Sequence, residues 1–265
     1  MNNFKEKIHI LADFDGTLTK PYSKQGKPRP SLISALRDGN YLTEEYAQKA
    51  HAMYEKYHAV QNDPNVPRGT KKKQMEEWWR AHFSLLIEQG LNKRDLQKII
   101  ESEVIELRDY GIDFLDLLNK ENIPLVIMSA SGIGDAIAMY LAYLGKLTPN
   151  IYIITNGFQW DNKGFASGII EPIITSLNKD ETLLKNYPAI YNQVKNRRNV
   201  ILLGNNLHDI DMIKGFDYED LFKIGFFGGQ KKEDHLQFEQ QFDLILEDTS
   251  SLAPIIDIVS NWLNK

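Results

Sequence analysis

The chain contains no cysteine, which excludes disulfide bonds, thiolate zinc sites and cysteine nucleophiles. It also has no run of about 18 consecutive apolar residues, the length needed for a helix that crosses a membrane. Its first apolar run, at 8–14, is much shorter than the hydrophobic region of a secretion signal. We therefore expect a cytoplasmic protein with no membrane partner.

An excess of positive charge is missing as well. The 265 residues include 31 Lys and Arg against 36 Asp and Glu, for a net charge of −5 at pH 7. Such a chain has no overall attraction to nucleic acid, although a small anion can still bind a locally positive pocket. We expect a monomer without a nucleic-acid partner. The 42% hydrophobic residues are enough for a sizeable core.

Short apolar runs separated by helix-like segments indicate the fold class. Runs that are apolar throughout suit strands buried on both faces of a parallel sheet that is covered by helices. They predict an α/β protein with a doubly wound, Rossmann-like and mostly parallel sheet. The stretch 156–170, with aromatic residues around "DNKG", predicts a β-hairpin at the sheet margin. The runs lie at 8–14, 123–129, 151–155, 200–204, 221–227 and 243–247.

About a hundred residues without a comparable strand separate the first two runs. Apolar residues at spacings of three and four predict amphipathic helices there, around 46–57 and 75–86, with a loop in "NDPNVPRGT" between them. A third helix is expected at about 93–107. We therefore expect two domains: a core domain of residues 1–20 and 109–265, and a helical cap domain of residues 21–108 that interrupts it.

Two acidic residues follow the first run, in "DFDGTLT". They place Asp13 and Asp15 at the carboxyl edge of the predicted sheet, where open α/β folds bind ligands. Residues two apart on an extended strand share a face, so both carboxylates can address one site. A pair of turn or capping acids is the alternative, but it does not explain why both follow an uninterrupted apolar run. Paired acids in a cleft favour a functional site.

The second run ends in "SASGIGD", in which small residues precede a predicted helix. Free amides at a helix N-terminus can bind an anion, and a serine adds a hydroxyl. Helix capping by Ser131 or Asp135 is the alternative. Further along, Lys179 precedes another helical segment, where a cation is disfavoured unless something anionic faces it. The candidate anion ligands are Ser129, Ala130, Ser131 and Gly132.

In this order, "DFDGTLT", "SASGIGD", "NKDETLL" and "GNNLHDID" resemble the haloacid dehalogenase-like hydrolase superfamily. The resemblance implies magnesium-dependent phosphoryl transfer through an aspartyl-phosphate. It makes Asp13 the nucleophile, Asp15 the general acid and base, and Lys179 the cation between nucleophile and phosphate. A divalent cation and a lysine can offset the repulsion between carboxylate and phosphate, and oxygen ligands favour Mg²⁺ over zinc. The implied metal ligands are Asp13, Asp15, Asn205 and Asp209.

The insert resembles a narrower family. Together with the core motifs, "EKYHAVQNDP" and "MEEWW" are similar to the cytosolic type III pyrimidine 5′-nucleotidases over nearly the whole chain. That family closes a helical cap over a nucleoside monophosphate, and a glutamate matching Glu77 reads the base. Trp78 and His82 are further candidates because aromatic rings can stack on a base, although both can equally be cap core. The resemblance implies hydrolysis of a pyrimidine nucleotide such as UMP or CMP to nucleoside and phosphate.

Asn205 departs from the family, which has aspartate at that position. An amide oxygen can still coordinate a metal, but the loss of a unit charge near a divalent ion matters by roughly 1–4 kcal/mol, so weaker magnesium binding is expected. Asp209 remains as the other acid of the motif and could orient Lys179 or metal-bound water. Two alternatives stay open: a phosphatase for another small phosphomonoester, and a metal-impaired homologue that binds nucleotide without hydrolysing it.

Overall fold

The computed structural model describes residues 4–215, 217–229 and 232–264. Over these residues the chain forms eight β-strands, nine α-helices and three short 3₁₀ helices, the last at Phe4–Lys7, Glu181–Asn186 and Leu207–Ile213. The strands are β1 (Ile8–Ala12), β2 (Leu125–Met128), β3 (Ile151–Ile154), β4 (Phe158–Trp160), β5 (Ala166–Ile169), β6 (Asn199–Gly204), β7 (Asp220–Phe227) and β8 (Leu244–Glu247). The helices are α1 (Leu32–Asp38), α2 (Glu44–Asn62), α3 (Arg68–Glu88), α4 (Lys93–Glu101), α5 (Gly111–Lys120), α6 (Asp135–Tyr143), α7 (Pro188–Val194), α8 (Lys232–Gln241) and α9 (Ala253–Leu263).

Six strands form one parallel sheet in the order β3-β2-β1-β6-β7-β8. This confirms the predicted fold class, and each of the six strands falls on one of the six apolar runs. The strand order reverses between β1 and β6, which makes their carboxyl ends the switch point where open α/β sheets bind ligands. The segments that follow these two strands carry Asp13 and Asn205.

Both faces of the sheet are buried, which explains why its strands are apolar throughout. Ile10 of β1 and Ile201 of β6 belong to one hydrophobic cluster. Their neighbours Leu11 and Leu202 belong to a second cluster, because successive side chains of a strand point to opposite faces. A strand in this position needs apolar residues at every position rather than at alternate ones.

Helices α1 to α4 lie between β1 and β2 in the chain, as the predicted helical insert requires. Their main hydrophobic contacts are shared with the sheet, since Leu36 of α1 and Trp79 of α3 belong to the same cluster as Ile10. The insert therefore packs directly on the core. In the part of the chain that the structure describes, no helix is both long enough and apolar enough to cross a membrane.

Three boundaries in the insert differ from the sequence prediction. The third predicted helix, expected at about 93–107, ends at Glu101 as α4, because Glu103 adopts a left-handed φ of 56° and turns the chain into a linker. Helix α1 was not predicted as a separate element; it begins after Ser31, whose side chain accepts a hydrogen bond from the Ser34 amide. Helix α3 begins at Arg68, inside the stretch predicted to be a loop.

The predicted hairpin is formed by β4 and β5, which pair in antiparallel fashion. It makes a sheet of its own instead of extending the six-stranded sheet. Phe158 of β4 packs edge-on against Phe83 of α3, with 5.5 Å between the ring centroids. The hairpin thus buries Phe158 against the helical insert, while Phe165 at its turn is exposed.

Candidate active site

Asp13, Lys179 and Asp209 meet in a buried ion cluster at the switch point of the sheet. Lys179 Nζ lies 2.8 Å from Asp13 Oδ1 and 2.6 Å from Asp209 Oδ1. Burial opposes the charged form of Lys179, but the two carboxylates outweigh it and raise the pKa of this lysine above its ordinary value. Lys179 is therefore a charged, buried group. The helical segment predicted after it is the 3₁₀ helix Glu181–Asn186.

The second oxygen of Asp209 is also fixed by the protein. Asp209 Oδ2 accepts hydrogen bonds from the backbone amides of Asn205 and Asn206, each at 3.0 Å. Asn206 caps the 3₁₀ helix Leu207–Ile213, and Asp209 completes its capping box. With both oxygens engaged in this way, Asp209 holds Lys179 toward Asp13.

The side chain of Asn205 faces the turn that follows Asp15. Its Nδ2 donates a hydrogen bond to the backbone oxygen of Asp15 at 3.2 Å. Gly16 allows this approach, since it adopts a φ of +74° and a Cβ there would lie 2.3 Å from Asn205 Nδ2. The sequence predicts only a tight turn at Gly16, and its position directly after the acidic pair is the signal that could have revealed this contact.

The oxygen atoms that Asp13, Asp15 and Asn205 offer are chemically suitable ligands for a magnesium ion. Asp13 offers its carboxylate and Asp15 its backbone oxygen, both of them hard ligands that Mg²⁺ accepts. Asn205 can add its side-chain oxygen when its amide turns over, because its Nδ2 faces the Asp15 oxygen in this structure. Among the described residues, no group of three or more His, Cys, Asp or Glu side chains is arranged to hold a metal. Magnesium would therefore rely on neutral oxygens beside Asp13.

The carboxyl groups of Asp13 and Asp15 have different pKa values. Burial raises the pKa of Asp15 to about 7, the charge of Asp13 adds to the effect, and a hydrogen bond from the Leu32 amide opposes it. Burial also raises the pKa of Asp13, to about 6, against the opposing charge of Lys179. Near neutral pH, Asp13 is mostly ionised while about half of Asp15 carries a proton, which suits a nucleophile beside a general acid.

The raised pKa of Asp15 predicts a pH dependence of stability in the metal-free protein. The folded state holds the proton up to about pH 7, whereas the unfolded chain releases it near 3.8. The stability that this proton contributes is present at low pH and is lost as the pH rises through 7. Between pH 5 and 8 the loss is roughly 3 kcal/mol for this group.

Urea unfolding in EDTA at pH 5 and pH 8 measures this loss. Asp15→Asn should show a smaller drop in unfolding free energy than the wild type. Asp116→Asn, the same change at an exposed carboxylate of α5, should keep the wild-type drop. An undiminished drop in Asp15→Asn would show that Asp15 has an ordinary pKa in the folded protein.

The turn after β2 presents two buried serine hydroxyls. Ser129 Oγ accepts a hydrogen bond from the Ser131 amide at 3.1 Å, and Ser131 Oγ accepts one from the Ile133 amide at 3.4 Å. Neither hydroxyl donates to another residue in the described part of the chain, so both hydroxyl protons remain for an anion. The helix-capping alternative does not hold for Asp135, whose carboxylate accepts instead from the amide of Phe158.

The same turn lies directly against the helical insert. A Cβ on Gly132 would come within 2.3 Å of the Trp79 ring, so only glycine permits this contact. Ala130 lines a cavity of about 220 Å³ between the turn and the insert. The structure thus brings residues 129–132 to the boundary between the acidic site and this cavity, which we call the cap cavity. Its lining residues are Ser31, Ile33, Ser34, Arg37, Tyr54, Gln61, Met75, Trp78, Trp79, His82, Ala130, Thr175 and Ser176.

Two of the three predicted base-contacting residues line the cap cavity. Trp78 and His82 lie on the buried face of α3, whereas Glu77 is exposed and is not part of the lining. Trp78, Trp79 and His82 share the buried face of α3, and Glu77 lies outside that face. This geometry does not support base reading by Glu77.

Trp78 also differs from the expected stacking surface. Its ring is stacked on Tyr57 and on Trp79, with centroids 5.7 Å and 5.4 Å apart. His82 is stacked on Trp79 in turn, at 5.7 Å. These rings stack on one another, so they offer a ligand mainly their edges.

Comparison with known proteins decides the family. The family model described as "Pyrimidine 5'-nucleotidase (UMPH-1)" matches residues 16–263. The chain belongs to the pyrimidine 5′-nucleotidase family. This confirms the resemblance found in the sequence and makes the protein a phosphoric monoester hydrolase of the 5′-nucleotidase type.

Several relatives of this nucleotidase carry more specific names. The chain is 31% identical to "7-methylguanosine phosphate-specific 5'-nucleotidase A" of Xenopus laevis, with 91% of this chain and 83% of that protein covered. It is 30% identical to "Putative cytosolic 5'-nucleotidase 3" of Caenorhabditis elegans, with 96% and 70% covered. Among solved structures, cytosolic 5′-nucleotidase IIIB bound to cytidine matches with a TM-score of 0.85 at 27% identity, covering 98% of this chain and 86% of the other. Phosphoserine phosphatase in its apo form, at 16% identity and a TM-score of 0.56, shares the fold.

One residue of the nucleotidase site, Arg108, was missed in the sequence because it belongs to no motif. It is buried, and its Nε donates to the Thr17 backbone oxygen at 2.8 Å. Its Nη1 donates to the Ser250 oxygen at 2.9 Å, and its guanidinium lies 3.8 Å from the Phe226 ring centroid. Arg108 lies in the linker between α4 and α5. Its hydrogen bonds connect this linker to the turn after Asp15 and to the segment after β8.

Proposed function

We propose that this chain is a magnesium-dependent 5′-nucleotidase that hydrolyses nucleoside 5′-monophosphates, with pyrimidine nucleotides as its preferred class, through an aspartyl-phosphate on Asp13. The observation that carries the proposal is the buried contact of Asp13 with Lys179 and Asp209, beside a second acid of raised pKa and a serine turn. Residues 21–108 are the cap of this enzyme. The name of the nematode relative supports a cytoplasmic location.

In the first half of the reaction, an oxygen of the Asp13 carboxylate attacks the phosphorus atom of the nucleotide. The bond between phosphorus and the 5′-oxygen breaks, and Asp15 donates its proton to that oxygen, which leaves as the nucleoside hydroxyl. Lys179 stays beside Asp13 throughout, so its charge favours the approach of an anionic phosphate. The products of this half are free nucleoside and an acyl phosphate on Asp13.

In the second half, Asp15 has become a base. It takes a proton from a water molecule, whose oxygen attacks the phosphorus and breaks its bond to Asp13. Inorganic phosphate leaves, and both acids return to their starting protonation states. Because Asp15 acts in both halves, a pKa near neutrality is what its role requires.

The phosphate oxygens are held by the serine turn. Ser129 and Ser131 donate their hydroxyl protons, and the backbone amides of the turn add further donors. Asp13, the Asp15 backbone oxygen and Asn205 would hold Mg²⁺, which when bound offsets the repulsion between the carboxylate and the phosphate. Asp209 contributes by positioning Lys179.

The cap is held against the core by polar contacts around the site. Gln61 Nε2 donates to Ser176 Oγ at 3.2 Å, and Arg80 pairs with Glu171 of the core at 2.6 Å. Arg68 of the cap also pairs with Asp211, just beyond Asp209. A cap closed in this way excludes bulk water from the phosphate, which strengthens the electrostatic contacts inside.

Asn205→Asp is expected to tighten magnesium binding by roughly tenfold or more, since it adds a unit charge beside the ion. The same variant should be less stable than the wild type in EDTA, because aspartate cannot donate the hydrogen bond that Asn205 makes to the Asp15 oxygen. Calorimetric titration with Mg²⁺ and urea unfolding in EDTA measure the two effects.

The matched control for this variant is Asn206→Asp. Asn206 is the adjacent asparagine, and its side chain caps the following 3₁₀ helix through the His208 amide, a contact that aspartate can also make. It should bind Mg²⁺ nearly as the wild type does. Equal magnesium affinity in Asn205→Asp and in the wild type would remove Asn205 from the metal site.

The proposed function is tested by phosphate release from UMP, CMP, AMP, 7-methylguanosine monophosphate and phosphoserine across a magnesium titration. We expect release from nucleotides that requires Mg²⁺ and exceeds the Asp13→Asn background. Faster release from phosphoserine would favour a different phosphomonoesterase. Nucleotide binding without release at saturating Mg²⁺ would favour the metal-impaired homologue, which the asparagine at position 205 supports.

A further inference from the structure

We infer that Arg108 is a positioning residue of this hydrolase: its guanidinium fixes the backbone of the turn after Asp15 and, through Thr17, the carboxylate of Asp13. The inference rests on the proposed function, since it concerns the aim of the proposed nucleophile. Within the described part of the chain, Arg108 makes no hydrogen bond to the side chain of Asp13 or Asp15. Its effect on the reaction therefore passes through the turn.

The five N–H groups of the Arg108 guanidinium are matched by five oxygen atoms. Nε donates to the Thr17 oxygen at 2.8 Å, and Nη2 donates to the Gly16 oxygen and, at 3.4 Å, to Asp248 Oδ1. Nη1 donates to the Ser250 oxygen at 2.9 Å and to the backbone oxygen of Asp248. Arg108 is 3% exposed, and burial of a cation is costly unless its donors are paired. These contacts hold the side chain in one orientation.

Three of the five oxygens belong to the segment after β8, which lies in the packed core. Two are the backbone oxygen and the carboxylate of Asp248, whose charge compensates that of Arg108. The guanidinium also stacks 3.8 Å from the ring centroid of Phe226, a buried residue of β7. Arg108 therefore attaches the turn after Asp15 to a part of the core that takes no direct part in the reaction.

The backbone that Arg108 binds also orients the nucleophile. Thr17, whose oxygen accepts from Arg108 Nε, donates its own hydroxyl proton to Asp13 Oδ2 at 3.3 Å. Lys179 donates to the other oxygen, Asp13 Oδ1, at 2.8 Å. The orientation of the Asp13 carboxylate is thus set by Lys179 on one side and by Thr17 on the other. Because Thr17 is held by Arg108, movement of Arg108 turns the carboxylate.

A lysine cannot reproduce this arrangement. An ammonium group has three N–H donors on one nitrogen, whereas a guanidinium presents five in a planar fork. Arg108→Lys keeps a positive charge near Asp248, but at least two of the five oxygens lose their donor. A turn released in this way lets the Asp13 carboxylate shift, and a misplacement of about 1 Å can lower a rate by roughly 10²-fold.

Steady-state kinetics with UMP at saturating Mg²⁺ separates positioning from folding. We expect kcat to fall by roughly tenfold or more in Arg108→Lys and by roughly 10²-fold in Arg108→Ala, while KM stays within about threefold of the wild type. Arg197→Ala is the matched control, because half-buried Arg197 donates to the Ile8 oxygen at 3.1 Å, at the opposite end of β1. The control should lower the unfolding temperature and keep the wild-type kcat.

Chemical rescue gives a readout that a loss of stability would not produce. A cavity of about 200 Å³ borders Arg108, so the space left in Arg108→Ala is open to a guanidinium ion. Guanidinium chloride below denaturing concentrations should raise kcat of this variant at least tenfold relative to NaCl at the same concentration. In Arg197→Ala it should raise nothing, since guanidinium lowers the activity of a protein that is merely destabilised.

Thr17→Val tests the route to Asp13, because it keeps a branched side chain but removes the hydroxyl that contacts Oδ2. The double variant with Arg108→Lys should lose less in kcat than the product of the two single losses. This cycle decides the question even where Arg108→Ala does not fold. Wild-type kcat in Arg108→Lys, absence of rescue in folded Arg108→Ala, or losses that multiply would each overturn the inference and leave the proposed function standing. Absence of phosphate release by the wild type would overturn the proposed function itself.

Discussion

Asp13→Asn is expected to lower phosphate release from UMP by at least about 10⁴-fold, the scale on which removal of a catalytic nucleophile acts. A carboxamide keeps the size of the side chain but cannot form an aspartyl-phosphate. The variant should still fold, because Lys179 keeps its 2.6 Å contact with Asp209 and a buried acid of raised pKa is replaced by a neutral group. Stopped assays with purified protein measure the rate, and thermal unfolding monitors the fold.

Asp116→Asn is the matched control for this variant, since it makes the same change in an exposed surface ion pair with Lys146. Such pairs contribute about 0–1 kcal/mol to stability, so the control should keep the wild-type rate. If Asp13→Asn retained a rate within tenfold of the control, Asp13 would not be the nucleophile.

Asp15→Asn is expected to lower the rate with UMP by roughly 10²–10⁴-fold, the usual range for loss of a general acid or base. The carboxamide can neither protonate the 5′-oxygen nor take a proton from water. 4-Nitrophenyl phosphate separates the two roles because its leaving group does not need a proton. With this substrate the variant should show a burst of nitrophenol equal to the enzyme concentration, followed by slow turnover.

The burst is the decisive feature of that experiment. It arises because Asp13 can still capture the phosphoryl group while no base activates water to release it. Turnover without a burst, at the wild-type rate, would show that Asp15 is not the base of the second half. A wild-type rate with UMP would contradict its role as an acid.

The strands and the site residues of the core were predictable because each depends on local pattern and chain order. A strand buried on both faces needs an apolar run, and the loops after neighbouring parallel strands meet at one edge, so Asp13 and Asp209 had to lie close together. The position of Lys179 before a helical segment drew attention to it, and the resemblance to a known family supplied its role beside the nucleophile. The contacts of Asp209 with two backbone amides could not be foreseen, since they depend on the path of the turn in space.

The cap was less predictable because its chemistry depends on which residues of α3 face the cavity. Family resemblance pointed to Glu77, but the residues of α3 that line the cavity are those that follow it, Trp78 and Trp79, while Glu77 is exposed. Arg108 was missed for another reason: a single arginine in a linker has no signature in sequence, and its function depends on three segments distant in the chain.

The central claim is the covalent intermediate on Asp13, and trapping that intermediate tests it most directly. Wild-type protein is mixed with UMP and Mg²⁺, quenched in acid within one turnover, digested and analysed by mass spectrometry. We predict a phosphoryl group on the peptide that contains Asp13, present in the wild type, accumulated in Asp15→Asn and missing from Asp13→Asn. A phosphoryl group on another residue, or turnover of UMP with no phosphorylated peptide in wild type or Asp15→Asn, would contradict aspartyl-phosphate catalysis by this chain.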